Sequence, residues 1–174
     1  SNLGQIDAIS SDNVNPNSPG NGGSPWPIVA TDILANQGVP VAFIPTAKGG
    51  TSTIQWQPAT NHSDASTLYG SMNRRIQAVG GVVAGVLYYQ GEGEARTNQA
   101  TLQSDYEVRL NTIVNTIATD FPGTKTMVGQ IGFGSDSTYP GKDQIRAAQV
   151  AVVNTNANAL LGPATYDIDL TDEG

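Results

Sequence analysis

The sequence predicts an α/β fold, a three-layer α/β/α sandwich around a mostly parallel sheet. Three observations carry that prediction. Short apolar runs rich in β-branched and aromatic residues alternate with stretches of helical periodicity, in the order β-α-β-α-β-α-β. The run Val82–Tyr89 is apolar without alternation, as expected for a strand buried on both faces. Two of the runs empty into glycine-rich polar loops, the place where open α/β sheets hold their ligands.

Taken in order, residues 10–24 (SSDNVNPNSPGNGGS) hold too many turn formers for helix or strand and read as a loop. Ser24 then suits an N-cap and Pro25 a first helical position, with Trp26, Val29, Ile33 and Leu34 on one face and Gly38 as the stop. A strand is expected over Val39–Pro45, emptying into Thr46-Ala47-Lys48-Gly49-Gly50-Thr51. A second helix over 66–79 ends at Gly80-Gly81, and the strand Val82–Tyr89 runs into Gln90-Gly91-Glu92. A long helix from about Asn98 to Thr119 places Leu102, Tyr106, Leu110, Ile113, Val114 and Ile117 at helical spacing, and Phe121-Pro122-Gly123 stops it. Thr126–Ile131 reads as a strand, Lys142 to about Ala159 as a helix, and Thr165–Leu170 as the last strand.

At 174 residues the chain is long enough for one domain with a sizeable core, and residues 1–174 are read as a single domain. Cysteine is absent, which rules out disulfides, a thiol nucleophile and a thiolate zinc site within this chain. Fifteen acidic against eight basic residues give a net charge of −7, which argues against nucleic acid and anionic membranes as partners. No apolar run approaches the roughly 20 residues of a membrane span. The lysine-poor, amide-rich composition suits a secreted, periplasmic or particle-associated protein that handles sugars, with the cytoplasm left open. No cofactor or metal is expected. The glycines Gly80, Gly81 and Gly85 precede a strand, the wrong side for a dinucleotide, and the acids Glu92, Glu94, Asp167, Asp169 and Asp172 follow no ligand spacing.

Gly49-Gly50-Thr51…Ile54…Trp56 and Tyr89-Gln90-Gly91-Glu92-Gly93-Glu94-Ala95 resemble the central blocks of the sialate O-acetylesterase / acetylxylan esterase branch of the SGNH hydrolases. That branch reads roughly G-Q-S-N-M, then G-G-T-x-I-x-x-W, then W-x-Q-G-E-x-D-A, then D-x-x-H. Ser1-Asn2-Leu3 resembles the tail of the first block and Asp172-Glu173-Gly174 the start of the last, so the sequence reads as a domain clipped at both ends. The resemblance implies a flavodoxin-like sheet and a serine esterase that removes acetyl groups from an acetylated carbohydrate such as sialic acid or xylan.

It also implies roles. Ser1 would be the nucleophile and Asp172 the carboxylate that orients a histidine lying beyond it, since a serine hydroxyl needs a positioned base. Gly50 would offer a backbone N–H to the oxyanion, with the Gln90 side-chain amide as a further donor. Glu92 is either a second carboxylate for the histidine or an anchor for its own loop. Trp56 and Thr51 are candidates for substrate contact. His62, the one histidine present, sits in a polar loop out of family order and is read as structural. If nothing follows Gly174, little or no esterase activity is expected of the chain. The competing reading is a non-catalytic carbohydrate-binding module on the same fold. A glycosidase using Glu92 and Glu94 fits poorly, because residues two apart on a strand point to opposite faces.

Overall fold

The computed structural model describes residues 26–132 and 137–166. The chain divides into two compact units, Ser1–Gly50 and Thr51–Gly174, described separately below.

In the first unit, helix α1 spans Trp26–Gln37. Its half-buried residues Trp26, Val29, Ala30 and Ile33 follow the helical repeat. Gly38 closes it with φ 68° and an N–H donated to the Leu34 carbonyl at 3.0 Å, a left-handed cap that favours glycine. The chain then turns back so that the rings of Phe43 and Trp26 stand 4.9 Å apart. The strand expected over Val39–Pro45 does not form: the segment has no regular structure. Pro40 and Pro45 each lack the N–H that a ladder requires. Ser24 and Pro25, offered as cap and first turn, lie outside the described residues.

The second unit carries an α/β arrangement: α2 (Leu68–Ala78), β1 (Gly85–Tyr88), α3 (Glu92–Ala95), α4 (Leu102–Asp120), β2 (Lys125–Gln130), α5 (Lys142–Thr155) and β3 (Ala159–Ala164). The strands are parallel and lie in the order β1-β2-β3, as the alternation of strands and helices requires. Two right-handed crossovers stepping the same way across a sheet deliver both helices to one face. Accordingly α4 and α5 pack on each other and on β2. Between them lies a core of Leu102, Tyr106, Leu110 and Val114 from α4, Ile145, Ala148 and Val152 from α5, and Val128 from β2.

Two strands and one helix depart from expectation. β1 begins at Gly85 rather than Val82, and Leu87 is half exposed, so the strand is not buried on both faces. In register with it, Met127 and Leu160 share the face away from α4 and α5. α5 stops at Thr155 instead of running to Ala159. There the Asn156 side chain accepts the Asn158 N–H at 2.9 Å and donates to Asn111 and Asn115 of α4, a local alternative to another helical turn. The strand expected at Thr165–Leu170 is displaced to Ala159–Ala164; Thr165 and Tyr166 form a turn, and 167–170 lie outside the described residues. Gly162 and Pro163 disguise this strand as a turn. At Gly162 a Cβ would come 2.7–2.8 Å from the backbone of Val128 and Gly129, so only glycine lets β3 lie this close to the irregular stretch of β2.

Candidate active site

The C-terminal end of β1 is where the polar side chains converge. Gly91 turns the chain from strand to helix with φ 146°, and its missing side chain leaves room for Ile145 and Ile131, whose methyl carbons would lie 2.6 and 3.0 Å from a Cβ. After it comes the single turn of α3, which brings Gln90 and Glu94 together one turn apart. The Gln90 Nε2 donates to Glu94 Oε2 at 2.7 Å and to the Thr51 carbonyl at 3.0 Å. Glu94 Oε1 accepts both the N–H and the hydroxyl of Thr53, at 2.5 and 2.6 Å. Glu94 is only 8 % exposed, and three donors converge on its two oxygens. No lysine or arginine pairs with it among the described residues; hydrogen bonds take the place of a counter-ion.

This arrangement bolts the turn Thr51–Trp56 to the turn Gln90–Glu94. Inside the first turn, the Trp56 indole N–H donates to Thr51 Oγ1 at 2.9 Å. Gln57 extends the attachment to α4, donating to the carbonyls of Thr53 and Arg109. Trp56 and Thr51, expected to touch substrate, are 8 % and 9 % exposed and are engaged with each other.

Beneath the turn lies a second set of polar groups. The Gln90 carbonyl accepts the Tyr106 hydroxyl at 2.6 Å and Gln149 Nε2 at 2.9 Å, while Gln149 Oε1 accepts the Ile131 N–H at 3.1 Å. Gln149 thus ties the ends of β1 and β2 together from a fully buried position on α5. The Tyr88 hydroxyl points to Gln90 Oε1 at 3.3 Å. Burial raises the pKa of Tyr88 far above that of a free phenol, and the charges of Glu94 and Glu92 add to it. Tyr106 is raised in the same way, first by burial and then by Tyr88. Both phenols therefore stay protonated at working pH and serve as donors rather than bases. Beyond β2, Arg146 closes the strand end, donating to the carbonyls of Ile131 and Gly132 and stacking over Tyr166 at 4.4 Å.

The remaining candidates are placed as follows. Glu92 is half-buried in the first turn of α3, and no side-chain partner holds its carboxylate among the described residues. Two residues apart on a helical turn, Glu92 and Glu94 do not face each other, and Glu94 is occupied by its own donors. Gly50 has φ 73° and open space where a Cβ would stand, but it belongs to the first unit. Ser1 and Asp172 lie outside the described residues. His62 pairs through Nδ1 with Asp120 at 2.9 Å, in a cluster where Asp120 also accepts from Tyr69 and Asn73. That is a structural position, as its loop suggested.

Reading the sequence overlooked Gln149 and Tyr106 as parts of this region, and it named Glu94 without pairing it with Gln90. The signals were present: Gln90 and Glu94 stand one helical turn apart, and Gln149 is a lone amide on the apolar face formed by Ile145, Ala148 and Val152.

Comparison with known proteins gives these motifs a family. The family model described as "carbohydrate esterase, sialic acid-specific acetylesterase" matches residues 12–165. The chain belongs to this carbohydrate esterase family. No curated protein matches it at a significant level. Among solved structures, an Arabidopsis thaliana protein determined by X-ray crystallography is similar with a TM-score of 0.68 and 20 % identity, over 94 % of this chain and 69 % of that one. At that identity the likeness concerns the α/β fold. The match places an acetylesterase-type activity at the family level.

Proposed function

We propose that this carbohydrate esterase is a serine O-acetylesterase that removes acetyl groups from sugar hydroxyls by way of an acyl-enzyme. The observation that carries the reading is the bolting of the Thr51–Trp56 and Gln90–Glu94 turns by Glu94 and the Gln90 amide at the C-terminal end of β1. Polar turns fixed at the carboxyl end of a parallel strand are where this architecture holds ligands.

Chemically, Ser1 Oγ attacks the acetyl carbonyl carbon as its proton passes to the histidine of the D-x-x-H block, held by Asp172. The resulting tetrahedral oxyanion needs preorganised donors, each worth about 2.7–4 kcal/mol in other acyl-transfer enzymes. The Gly50 N–H and the Gln90 amide are the candidates. Collapse breaks the ester C–O bond and returns the proton to the departing sugar oxygen; water then repeats the sequence and releases acetate. Glu92, whose carboxylate is not consumed by the bolt, is available to the histidine, whereas Glu94 is not. An acetylated sugar is the proposed partner, and a secreted, periplasmic or particle-associated location agrees with it.

The test is hydrolysis of p-nitrophenyl acetate and of O-acetylated sialic acid and xylan by the full-length protein and its Ser1→Ala variant. We expect kcat to fall by at least about 10⁴-fold in the variant, with folding unchanged. Equal rates in the two proteins would remove Ser1 as nucleophile. Sugar binding without release of acetate would replace the esterase by a binding module.

A further inference from the structure

Glu94 has a role that the pairing of motifs does not by itself assign. We infer that Glu94 is a positioning residue that holds one hydrogen of the Gln90 amide so that the other is delivered to the oxyanion. The inference rests on the esterase reading above and adds to it the means by which Gln90 is aimed.

An amide nitrogen has two hydrogens, and both are committed here. The bond to Glu94 Oε2 is the shorter, 2.7 Å against 3.0 Å for the bond to the Thr51 carbonyl. It is also the stronger, because its acceptor is ionised whereas the Thr51 carbonyl is neutral. When a charged oxygen develops in the site, the bond to Thr51 is therefore the one to be exchanged, and the bond to Glu94 becomes the pivot. The pivot is itself fixed, because Glu94 Oε1 is held by both donors of Thr53, a residue with no exposed surface. On the other side of the amide, the Tyr88 hydroxyl points to Gln90 Oε1, and its raised pKa keeps it a donor there. Such an amide cannot flip its oxygen toward Glu94 without setting two acceptors against each other. The direction of its hydrogens is thereby set before substrate arrives, which is what preorganised stabilisation requires.

The position asks for a carboxylate in particular. Three donors converge on two oxygens; a glutamine offers one oxygen and an NH2, so one side becomes donor against donor. In Glu94→Gln, either Gln90 or Thr53 is repelled. In Glu94→Asp the charge remains, but the side chain is one methylene shorter and does not span Thr53 and Gln90 together.

The experiment compares the full-length protein with Glu94→Gln, Glu94→Asp, Gln90→Ala and the double variant Gln90→Ala/Glu94→Gln. Rates are expressed per active site titrated by the p-nitrophenyl acetate burst, which removes any loss caused by misfolding. Glu94→Gln is expected to lower kcat about 10²-fold with KM nearly unchanged, the size of effect that a small misplacement of a reacting group produces. Glu94→Asp should recover part of that loss. In the Gln90→Ala background the Glu94 substitution should cost little more, because one residue acts through the other. An unchanged kcat per site in Glu94→Gln, or losses that add in full in the double variant, overturns the inference. An unmodified protein inactive on every acetylated sugar overturns the esterase reading instead. The Gln90 side-chain amide, followed by ¹⁵N NMR, then judges Glu94 separately. Slow hydrogen exchange that becomes fast in Glu94→Gln supports the pivot, and exchange that is unaffected overturns it.

Discussion

Replacing Gly91 by alanine is expected to destabilise the second unit by about 2–6 kcal/mol and to abolish any activity that depends on the Gln90–Glu94 turn. Two costs combine. The φ of 146° is foreign to residues with a Cβ, and the added carbon would stand 2.6 Å from the Ile145 methyl and 3.0 Å from that of Ile131. Neither isoleucine has room to give: Ile145 is fully buried in the α4–α5 core and Ile131 is 2 % exposed at the end of β2. The backbone must move instead, and with it the Gln90 carbonyl that Tyr106 and Gln149 hold from below. Urea unfolding monitored by circular dichroism checks the claim. A loss below about 1 kcal/mol would mean that the turn relaxes without strain, contrary to the crowding described.

Replacing Asp120 by alanine should cost about 3 kcal/mol, although the residue lies far in sequence from the candidate catalytic groups. Asp120 is the last residue of α4, where the partial negative charge of the helix end disfavours an acid. It is stabilising there because three donors converge on it: His62 at 2.9 Å, the Tyr69 hydroxyl at 2.8 Å and Asn73 Nδ2 at 3.0 Å. Tyr69 has no exposed surface and Asn73 is 3 % exposed, so without the carboxylate two buried donors lose their partner. Asp120→Asn, which keeps one oxygen, should lose less. Chemical denaturation of the three proteins tests this order. If alanine and the native aspartate prove equally stable, water satisfies these donors and the cluster holds nothing together.

Much of the second unit could be read from the residues alone. The stripe Leu102, Tyr106, Leu110, Ile113, Val114 and Ile117 has the helical spacing that the α4 core uses, and all six are buried. β2 appears within one residue of its expected place, after the Phe121-Pro122-Gly123 stop. The failures have physical causes. Val39–Pro45 has strand-like side chains, but its two prolines break the donor row. β3 hides behind Gly162-Pro163, since a requirement for close backbone approach looks the same in sequence as a turn. At the site, Gln90 stands out because it ends an apolar strand. The role of Glu94 is only half legible: its spacing from Gln90 is a local signal, but its other two donors are the backbone and hydroxyl of a residue 41 positions away. An acid two residues from another invites comparison with its neighbour, and no local pattern announces a distant donor.

The neighbour-to-neighbour order of the strands also bears on how the molecule comes together. Each of β1, β2 and β3 pairs with the strand adjacent in sequence, so the sheet grows by closing one crossover at a time, with α4 and α5 supplying local contacts on the way. Contacts within a helix form early in folding, whereas a bond that closes a loop waits until chain entropy has already been spent. The Thr53–Glu94 bond spans 41 residues, about as many as the β1–β2 pairing, but it and the His62–Asp120 bond anchor segments without strand or long helix of their own. The candidate site is therefore expected to be assembled last and released first. Its Thr53 amide should exchange with solvent through a local opening while those of α4 and β2 exchange only on global unfolding. A ligand seated there would slow the Thr53 exchange well before it shifted the unfolding midpoint of the whole chain.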